Sequence, residues 1–525
     1  MGELNITVQA NPTSEVRHHA TDFPIPLTIE QIPRRLASTI PSALRYAFSF
    51  PALLAAALVG AVFAGARVFR VDPDLWWHIK VGNAILATHH LPTADQYSFT
   101  VSGQPWLAYE WLGDLALAAI SRIGGLIGLE VLLITLGSAI VIGLYWLATI
   151  RCGNSKAGFI ACVLLSLLAG VSFSLRPQMF GYLFLVLALI CLERFRQGKP
   201  GTIWLLPPLM VLWVNTHGSW IVGLIAIFFY WISGIRELRV GNLTASPWTP
   251  SQRKGLGVCF LLSLAAIFVT PYGPRIAISP LEYAFSLPLN VKYIEEWQPM
   301  AFDLISGKLF LAILLIVILT QITMRLSWRL EELVLFIMGT AMACLHVRFL
   351  MVFVPFAVPV LAVIFSRWLP RYDRTKDKPL LNAALMACAI AAIIYFFPSR
   401  SALAGRVESK FPVRAVDYLQ DHVVPEPMFN NYNFGGYLVW SRGPEHKVFI
   451  DGRGDVYERG GVLADYVRIA GLKPDAFDLL RRYGIQSCLL KRDEALATAL
   501  SKSPGWRRVY TDNLAAIFVR TQPWN

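Results

Sequence analysis

The stretch VDPDLWWHIKVG, residues 71–82, places two aspartates directly after an apolar run, Phe48 to Ala66, that is long enough for a membrane helix. Pro73 disfavours helix at the residue before it, so we expect the acidic pair in a turn near water. Two carboxylates at this spacing can hold Mg²⁺ or Mn²⁺ through oxygen ligands, or one can act as a general base. The alternative is a helix cap, with Trp76 and Trp77 as anchors in the membrane interface.

The composition is that of a membrane-embedded protein. Of the 525 residues, 55% are hydrophobic and 15% are charged, whereas soluble domains have about 25% charged residues. The net charge of +13 lies in short loops, which is typical of cytoplasmic loops and argues against a nucleic-acid partner. About eleven apolar segments are candidate membrane helices, although several are shorter than the ~20 residues that a perpendicular helix needs. They lie at 46–66, 126–149, 157–174, 178–193, 202–216, 219–233, 255–270, 306–324, 331–345, 348–366 and 380–397.

The segment 106–120 decides the orientation of the chain. It is apolar enough to resemble a further span, but counting it as one would put the basic loops on opposite faces. It also carries Glu110 and Asp114 one helical turn apart. We therefore predict an amphipathic helix on the outer membrane surface, with these two carboxylates on its solvated face.

The chain is expected to have three parts, with the fold class of a polytopic α-helical membrane protein that has an external α/β domain. These are a cytoplasmic tail over 1–45, a membrane domain over 46–397 with an external loop at 67–125, and the external domain over 398–525. In the last part, PMFNNYNFGGYLVW, KVFID, SCLLK and LAAIFVR are predicted strands, with Gly435 and Gly436 at a turn or bulge. PDAFDLLRRYG is predicted to be a helix that ends at its glycine.

Polar residues of functional interest gather in the external segments. Arginine suits phosphate because its guanidinium can donate two parallel hydrogen bonds. The candidates for binding a phosphate are Arg176, Arg348, His217, His346, His78 and Arg275. The candidates for contacting a substrate or acceptor are Glu110, Asp95, Asn431 and Tyr432. The alternatives are cations that reach towards the interface and, for Asp451 and Arg453, a structural ion pair.

The whole set of motifs resembles the GT-C superfamily of membrane glycosyltransferases, which includes protein O-mannosyltransferases, lipid A aminoarabinose transferases and oligosaccharyltransferases. The residues that carry the resemblance are DPD, ILATHHLPTADQYSFTVSGQPWLAYEWL, RPQ, NTHGS and FNNYNFGGYL…FIDGRGDVY. It implies that an acidic residue of the first external loop is catalytic, either as a base or as a ligand of a divalent cation. The matching residues are Asp72 and Asp74. Proline separates them here, whereas mannosyltransferases have adjacent acidic residues. We prefer Asp72 as the base because Asp74 is better placed to cap a helix starting at Leu75.

The resemblance also implies the reaction. We expect transfer of a sugar from a polyprenyl-phosphate donor to a glycan, lipid or protein acceptor, at the outer face of the cytoplasmic membrane. The alternative functions are a transporter or flippase of lipid-linked saccharides, and a polymerase or ligase of such saccharides. Transporters often contain internal repeats, and the sequence has none that we can recognise.

The distribution of basic loops gives a testable topology. Asp72 and the external domain over 398–525, called the tail below, should lie outside the membrane. Lys199 and Lys376 should lie inside, because short basic loops stay in the cytoplasm. Single cysteines introduced at these places, in a variant without the seven native cysteines, can be labelled with a membrane-impermeant maleimide. A cysteine at position 153 that reacts from outside would overturn this arrangement.

Overall fold

The computed structural model describes residues 41–66, 72–169, 173–278, 282, 287–522 and 524. Most of the predicted amino-terminal tail, residues 1–40, and the start of the external loop, residues 67–71, lie outside the described residues. Each of the predicted apolar segments contains a helix, although several helices end before the predicted boundary. The helices are Phe50–Ala66, Trp111–Cys152, Ser155–Ala169, Gln178–Arg196, Leu206–Val214, Trp220–Ser233, Pro250–Ala266, Ile305–Met324, Leu330–Leu345, Leu350–Phe365 and Pro379–Tyr395.

Fewer of these helices are long enough to cross a membrane alone. Among the described residues, 4 segments pass by length and composition, namely Trp111–Cys152, Gln178–Arg196, Ile305–Met324 and Val347–Phe365. The bent pair Pro379–Tyr395 and Arg400–Glu408 brings the number to 5 if it forms one span. The larger number of spans therefore remains a prediction.

The predicted surface helix over 106–120 is wrong at its start. The helix begins at Trp111, and it continues into the next apolar segment as far as Cys152 with one non-helical residue, Gly125 (φ 54°, ψ −142°). Glycine tolerates this positive φ because it has no Cβ. A kink therefore stands where the sequence analysis placed the boundary between a surface helix and a span.

The external loop shares an apolar core with the tail rather than lying on a lipid surface. Trp76 is 2% exposed, and its ring packs edge-on against Phe411 and Tyr437 of the tail at centroid distances of 5.5 and 5.1 Å. Tyr97 and Trp106 belong to the same buried cluster. Trp76 is therefore a core residue, and the alternative reading of it as a membrane anchor is wrong.

The tail is a small α/β domain, as predicted. Its sheet has the order Met428–Asn430, Ser487–Lys491, Ala515–Arg520, Trp506–Thr511, with the first pair parallel and the other pairs antiparallel. Two of its strands are those predicted from SCLLK and LAAIFVR. The helix predicted from PDAFDLLRRYG is also confirmed, at Ala476–Arg482. Shorter helices cover Ser42–Ala47, Asp74–Thr88, Pro288–Tyr293, Val413–Asp421, Gly454–Arg459, Val462–Ala470 and Ala495–Lys502, and a second sheet joins Leu238–Val240, Leu243–Ala245 and Trp328–Arg329.

Two strand predictions in the tail are wrong. Only Met428–Asn430 of the first segment is a strand; Asn431 then caps the helix Tyr432–Arg442, which contains the glycine pair. The Asn431 side chain accepts the Asn433 backbone N–H, which is a standard way to begin a helix. In KVFID, Val448 makes a single bridge with Ser98 of the external loop.

A buried ion-pair network joins the external loop to the tail. Arg453 donates 2.6 Å hydrogen bonds from Nη1 to Asp95 and from Nη2 to Asp451. Tyr457 donates its hydroxyl to the same Asp451 oxygen that accepts from Nη2, at 2.7 Å. The three charged side chains are at most 1% exposed. The structural Asp–Arg pair considered from the sequence is therefore present, with Asp95 as an additional partner.

Replacing Arg453 should destabilise this junction. In Arg453→Met, Asp95 and Asp451 lose their countercharge, and breaking a buried ion pair costs about 3–5 kcal/mol. Thermal unfolding of the purified protein, followed by tryptophan fluorescence, should show a clearly lower Tm. The control is Arg481→Met, whose partner Asp478 is exposed, so its effect should stay below about 1 kcal/mol. Equal Tm values in the two variants would contradict a stabilising role for the network.

Candidate functional site

The residues predicted to do chemistry lie in short connections that meet at one end of the apolar helices. Asp72 precedes the helix Asp74–Thr88, and Arg176 precedes the helix Gln178–Arg196. Arg348 lies in a 3₁₀ turn between two apolar helices. Each connection therefore delivers a charged side chain at a helix end, where it can reach its partners from the other connections.

Arg176 is the centre of this cluster. Its three guanidinium nitrogens face three different carboxylates. Nε lies 3.1 Å from Oδ2 of Asp72, Nη1 donates a 2.9 Å hydrogen bond to Oδ2 of Asp74, and Nη2 donates a 2.6 Å hydrogen bond to Oε2 of Glu296. The Arg176 side chain is only 16% exposed. One largely buried cation thus holds carboxylates from two distant parts of the chain.

Glu296 links Arg176 to the second arginine. Its Oε1 lies 3.2 Å from Nη1 of Arg348, and the Arg348 guanidinium carbon lies 4.1 Å from the centre of the Trp297 ring, which is a cation–π contact. Nδ1 of His346 lies 2.6 Å from the Trp297 carbonyl oxygen. His346 therefore supports the turn that carries Glu296 and Trp297.

A second polar cluster lies beside the first. Nδ1 of His78 is 2.6 Å from Oδ1 of Asp114, and its Nε2 is 3.7 Å from Oε2 of Glu110. The other Glu110 oxygen is 3.5 Å from Nε2 of His217, whose Nδ1 is 2.8 Å from Oγ of Ser219. Asp114 is fully buried, so the prediction that it lies on a solvated face is wrong.

Burial sets the protonation of the acidic residues. Burial and the neighbouring Asp72 raise the pKa of Asp74 to about 7, although Arg176 acts in the opposite direction. Burial also raises the pKa of Glu110 to about 8, against the effects of Arg176 and Arg348. Burial alone would raise the pKa of Glu296, but Arg348 and Arg176 lower it to about 2. Near neutral pH, Glu296 is ionised, Glu110 is mostly protonated and Asp74 changes its state.

The two histidines of the second cluster are uncharged at neutral pH. Burial, Arg348 and Arg176 lower the pKa of His217 to about 3. Burial, Arg176 and His217 lower the pKa of His78 well below its usual value. Both lie within 4 Å of a Glu110 oxygen, but neither supplies a positive charge for a phosphate.

The tail closes over the acidic pair with two glycines. A Cβ on Gly452 would stand 1.7 Å from Oδ1 of Asp74, and a Cβ on Gly436 would stand 2.3 Å from the carbonyl oxygen of Pro73. Only glycine permits approaches this close. Tyr432 is half-buried nearby, and after burial itself the largest cause of its raised pKa is the charge of Asp74. Tyr432 therefore lies near the acidic pair.

The capping contact at the start of this helix differs from the one expected from the sequence. Oδ1 of Asp72 accepts the backbone N–H of Asp74 at 2.9 Å, so Asp72 is the residue that caps the start of this helix. The helix begins at Asp74 rather than at Leu75. The Asp74 carboxyl is 21% exposed, against 11% for Asp72, and is free of this capping bond.

Three other predicted residues, Arg275, Asp95 and Asn431, have their contacts outside the two clusters. Arg275 is exposed. Asp95 is engaged by Arg453, as described above. The Asn431 side chain caps its helix through Oδ1 and donates from Nδ2 to Glu494. The structure thus gives Asp95 and Asn431 structural partners.

The sequence analysis missed Glu296, Trp297 and Gly452. Glu296 follows another glutamate in an external segment, and no periodic pattern distinguishes the two. A signal was available in EEWQP, residues 295–299, where carboxylates and an aromatic residue adjoin in an external segment.

The implied divalent cation does not fit the donor set. The carboxylates of Asp72, Asp74 and Glu296 are all directed at the nitrogens of Arg176. Within the described ranges, no group of at least 3 His, Cys, Asp or Glu side chains is arranged to hold a metal ion.

Solved structures similar to this chain are archaeal oligosaccharyltransferases. The apo crystal structure of the Archaeoglobus fulgidus oligosaccharyltransferase has a TM-score of 0.45 and 12% identity, over 89% of this chain and 74% of that one. AglB from the same organism, in complex with an inhibitory peptide and a dolichol-phosphate, has a TM-score of 0.46 and 11% identity over the same shares. No protein-family model matches the chain, and no curated protein matches it in sequence.

The raised pKa of Glu110 can be tested directly. At pH 6.5, infrared spectra of the purified protein should contain the carbonyl band of a protonated carboxylic acid that is missing from Glu110→Gln. Because the pKa of Glu110 is about 8, this difference band should fade as the pH rises through that value. A control is Asp303→Asn, which alters an exposed carboxyl and should leave the band unchanged. A Glu110 that is already ionised at pH 6.5 would contradict this result.

Proposed function

We propose that this protein is an integral membrane glycosyltransferase that moves a sugar from a polyprenyl-phosphate donor to an acceptor. The observation that carries the proposal is the position of Asp74. This carboxyl lies at the start of a helix, just after the first apolar helix, and is covered by the tail. Its pKa is raised to about 7. A base that titrates near the working pH is the one best suited to proton transfer.

The reaction needs few groups because a sugar on a phosphate already has a good leaving group. The acceptor hydroxyl or amine attacks the anomeric carbon, and the bond from that carbon to the phosphate oxygen breaks. Asp74 takes the proton of the acceptor as the new bond forms. Asp72 fixes Asp74 through its backbone N–H, so its role is to position the base.

The departing phosphate gains negative charge, which the site can stabilise from the other side. Arg348 is 21% exposed and has a single carboxylate partner, Glu296, so it can reach a phosphate more readily than Arg176. Glu110, protonated at neutral pH, can donate a hydrogen bond to a phosphate oxygen. No step in this scheme passes through a metal ion.

The acceptor is expected to enter between the membrane domain and the tail. Tyr432 and Gly452 of the tail lie beside Asp74, so an acceptor that reaches Asp74 must contact this surface. We place the tail, 398–525, and the external loop, 67–125, outside the cytoplasmic membrane, with the membrane domain over 46–397 and the segment 1–45 inside. This arrangement rests on the basic loops and on a lipid-linked donor, since nucleotide sugars are not supplied outside.

Asparagine variants of the acidic pair test the proposal. Transfer from lipid-linked sugars can be measured by mass spectrometry of surface glycans in a strain that lacks the gene and carries each variant. Asp74→Asn keeps the shape but cannot take a proton, so turnover should fall by about 10²–10⁴. Asp72→Asn should cost less, because asparagine caps a helix nearly as well as aspartate.

The pH dependence separates a base from a structural carboxylate. In isolated membranes, wild-type transfer should rise with pH through about 7 as Asp74 loses its proton. In Asp72→Asn the rise should persist but move to lower pH, because the charge of Asp72 contributes to the raised pKa of Asp74. Asp303→Asn, in the same external region, is the matched control and should behave as wild type. Near-normal transfer by Asp74→Asn at equal membrane abundance would remove it from the mechanism. An unchanged glycan and lipid-linked sugar profile in the deletion strain would reject the proposed function itself.

A further inference from the structure

The Arg176 guanidinium lies among three carboxylates, which is where a bound metal ion would lie in an acidic site. Each of its three side-chain nitrogens has its own carboxylate, at 3.1 Å for Asp72, 2.9 Å for Asp74 and 2.6 Å for Glu296. These carboxylates are 11%, 21% and 30% exposed, so they are only partly solvated. Such groups need a countercharge, since an uncompensated buried carboxylate is costly.

The directions of the carboxylate oxygens in this arrangement differ from those in a metal site. Mg²⁺ requires oxygens directed at one point, at about 2.0–2.1 Å in a near-octahedral arrangement. Here the three oxygens approach three separate nitrogens of a planar group, so they do not converge on a common point. A divalent ion among the same oxygens would also lie beside the fixed positive charge of Arg176 and be repelled by it.

Arg348, the second arginine of the site, does not lie between all three carboxylates as Arg176 does. Arg348 contacts one of the three carboxylates, Glu296, through Nη1, and stacks on Trp297. Within the described part of the chain, Arg348 makes no hydrogen bond or ion pair with Asp72 or Asp74. Removing Arg348 therefore leaves the acidic pair compensated, whereas removing Arg176 leaves it bare.

We propose that the Arg176 guanidinium takes the place of a divalent cation in this site, so that the site holds its carboxylates together and operates without metal. Arg176 is then a positioning residue. It fixes Asp74 relative to the turn that carries Glu296, and it leaves Arg348 to meet the phosphate. The part of this proposal that concerns transfer rests on the proposed function, whereas the part that concerns cation binding does not.

Manganese binding tests the exchange of cations without an activity assay. Purified wild type, Arg176→Gln, Arg176→Lys and Arg348→Gln are titrated with Mn²⁺ and followed by electron paramagnetic resonance of the free ion. Arg176→Gln frees three carboxylates and should bind about one Mn²⁺ per chain. Wild type, Arg176→Lys and the matched control Arg348→Gln keep a cation beside the acidic pair and should not bind. Asp74→Asn added to Arg176→Gln should abolish the new site.

Two results would overturn the proposal. One is stoichiometric Mn²⁺ binding by wild type that Asp72→Asn or Asp74→Asn removes, a result that stands even if Arg176→Gln does not fold. The other is wild-type transfer that a chelator abolishes and Mn²⁺ or Mg²⁺ restores; unchanged transfer in chelator supports the proposal. If no preparation transfers sugar, the proposed function fails, and the manganese titration still decides the role of Arg176.

Discussion

The fold around the site depends on the desolvation of three carboxylates. Asp72, Asp74 and Glu296 are brought together at the ends of apolar helices, where each loses part of its hydration and repels the others. The Arg176 guanidinium is what makes this arrangement stable, because it is planar, permanently charged and able to donate in three directions. The chain connections that carry these residues therefore have to meet at this point, and the helices that follow them are fixed in turn.

The opposite end of the helices shows what a purely structural ion network looks like. There Arg151 pairs with Glu332, Arg329 with Glu193, and Arg196 with Glu331. In these three pairs, each cation has one carboxylate partner, so the charges within the pairs are balanced. The candidate site has the opposite property, since carboxyl groups outnumber cations and two of them, Asp74 and Glu110, have raised pKa values. That imbalance is costly for stability, and perturbed titration of this kind is concentrated at functional sites.

The sequence was sufficient for the features that hydropathy controls. Each apolar segment contains a helix because the length and composition of the segment determine helix formation locally. DPD, RPQ and LHVR meet because they lie in connections on the same face. It was not sufficient where tertiary contacts decide. Asn431 starts a helix in a segment whose aromatic content favours a strand. Gly436 of that helix is needed for the close contact with Pro73 rather than for a turn. Asp114 and Glu296 were misjudged or missed because burial of a carboxylate depends on partners far away in the sequence.

The state of Asp74 depends on the tail as much as on its own helix. Burial is the largest cause of its raised pKa, and the tail supplies part of that burial, since Gly452 lies against Oδ1. The tail is in turn held to the external loop by Arg453 and by the core around Trp76. Without that contact, water would reach Asp74 and its pKa would return towards the usual value of a carboxyl, where it is a weaker base at the same pH. In the proposed mechanism, the tail therefore helps to set the protonation of Asp74 and also forms a surface that an acceptor must pass.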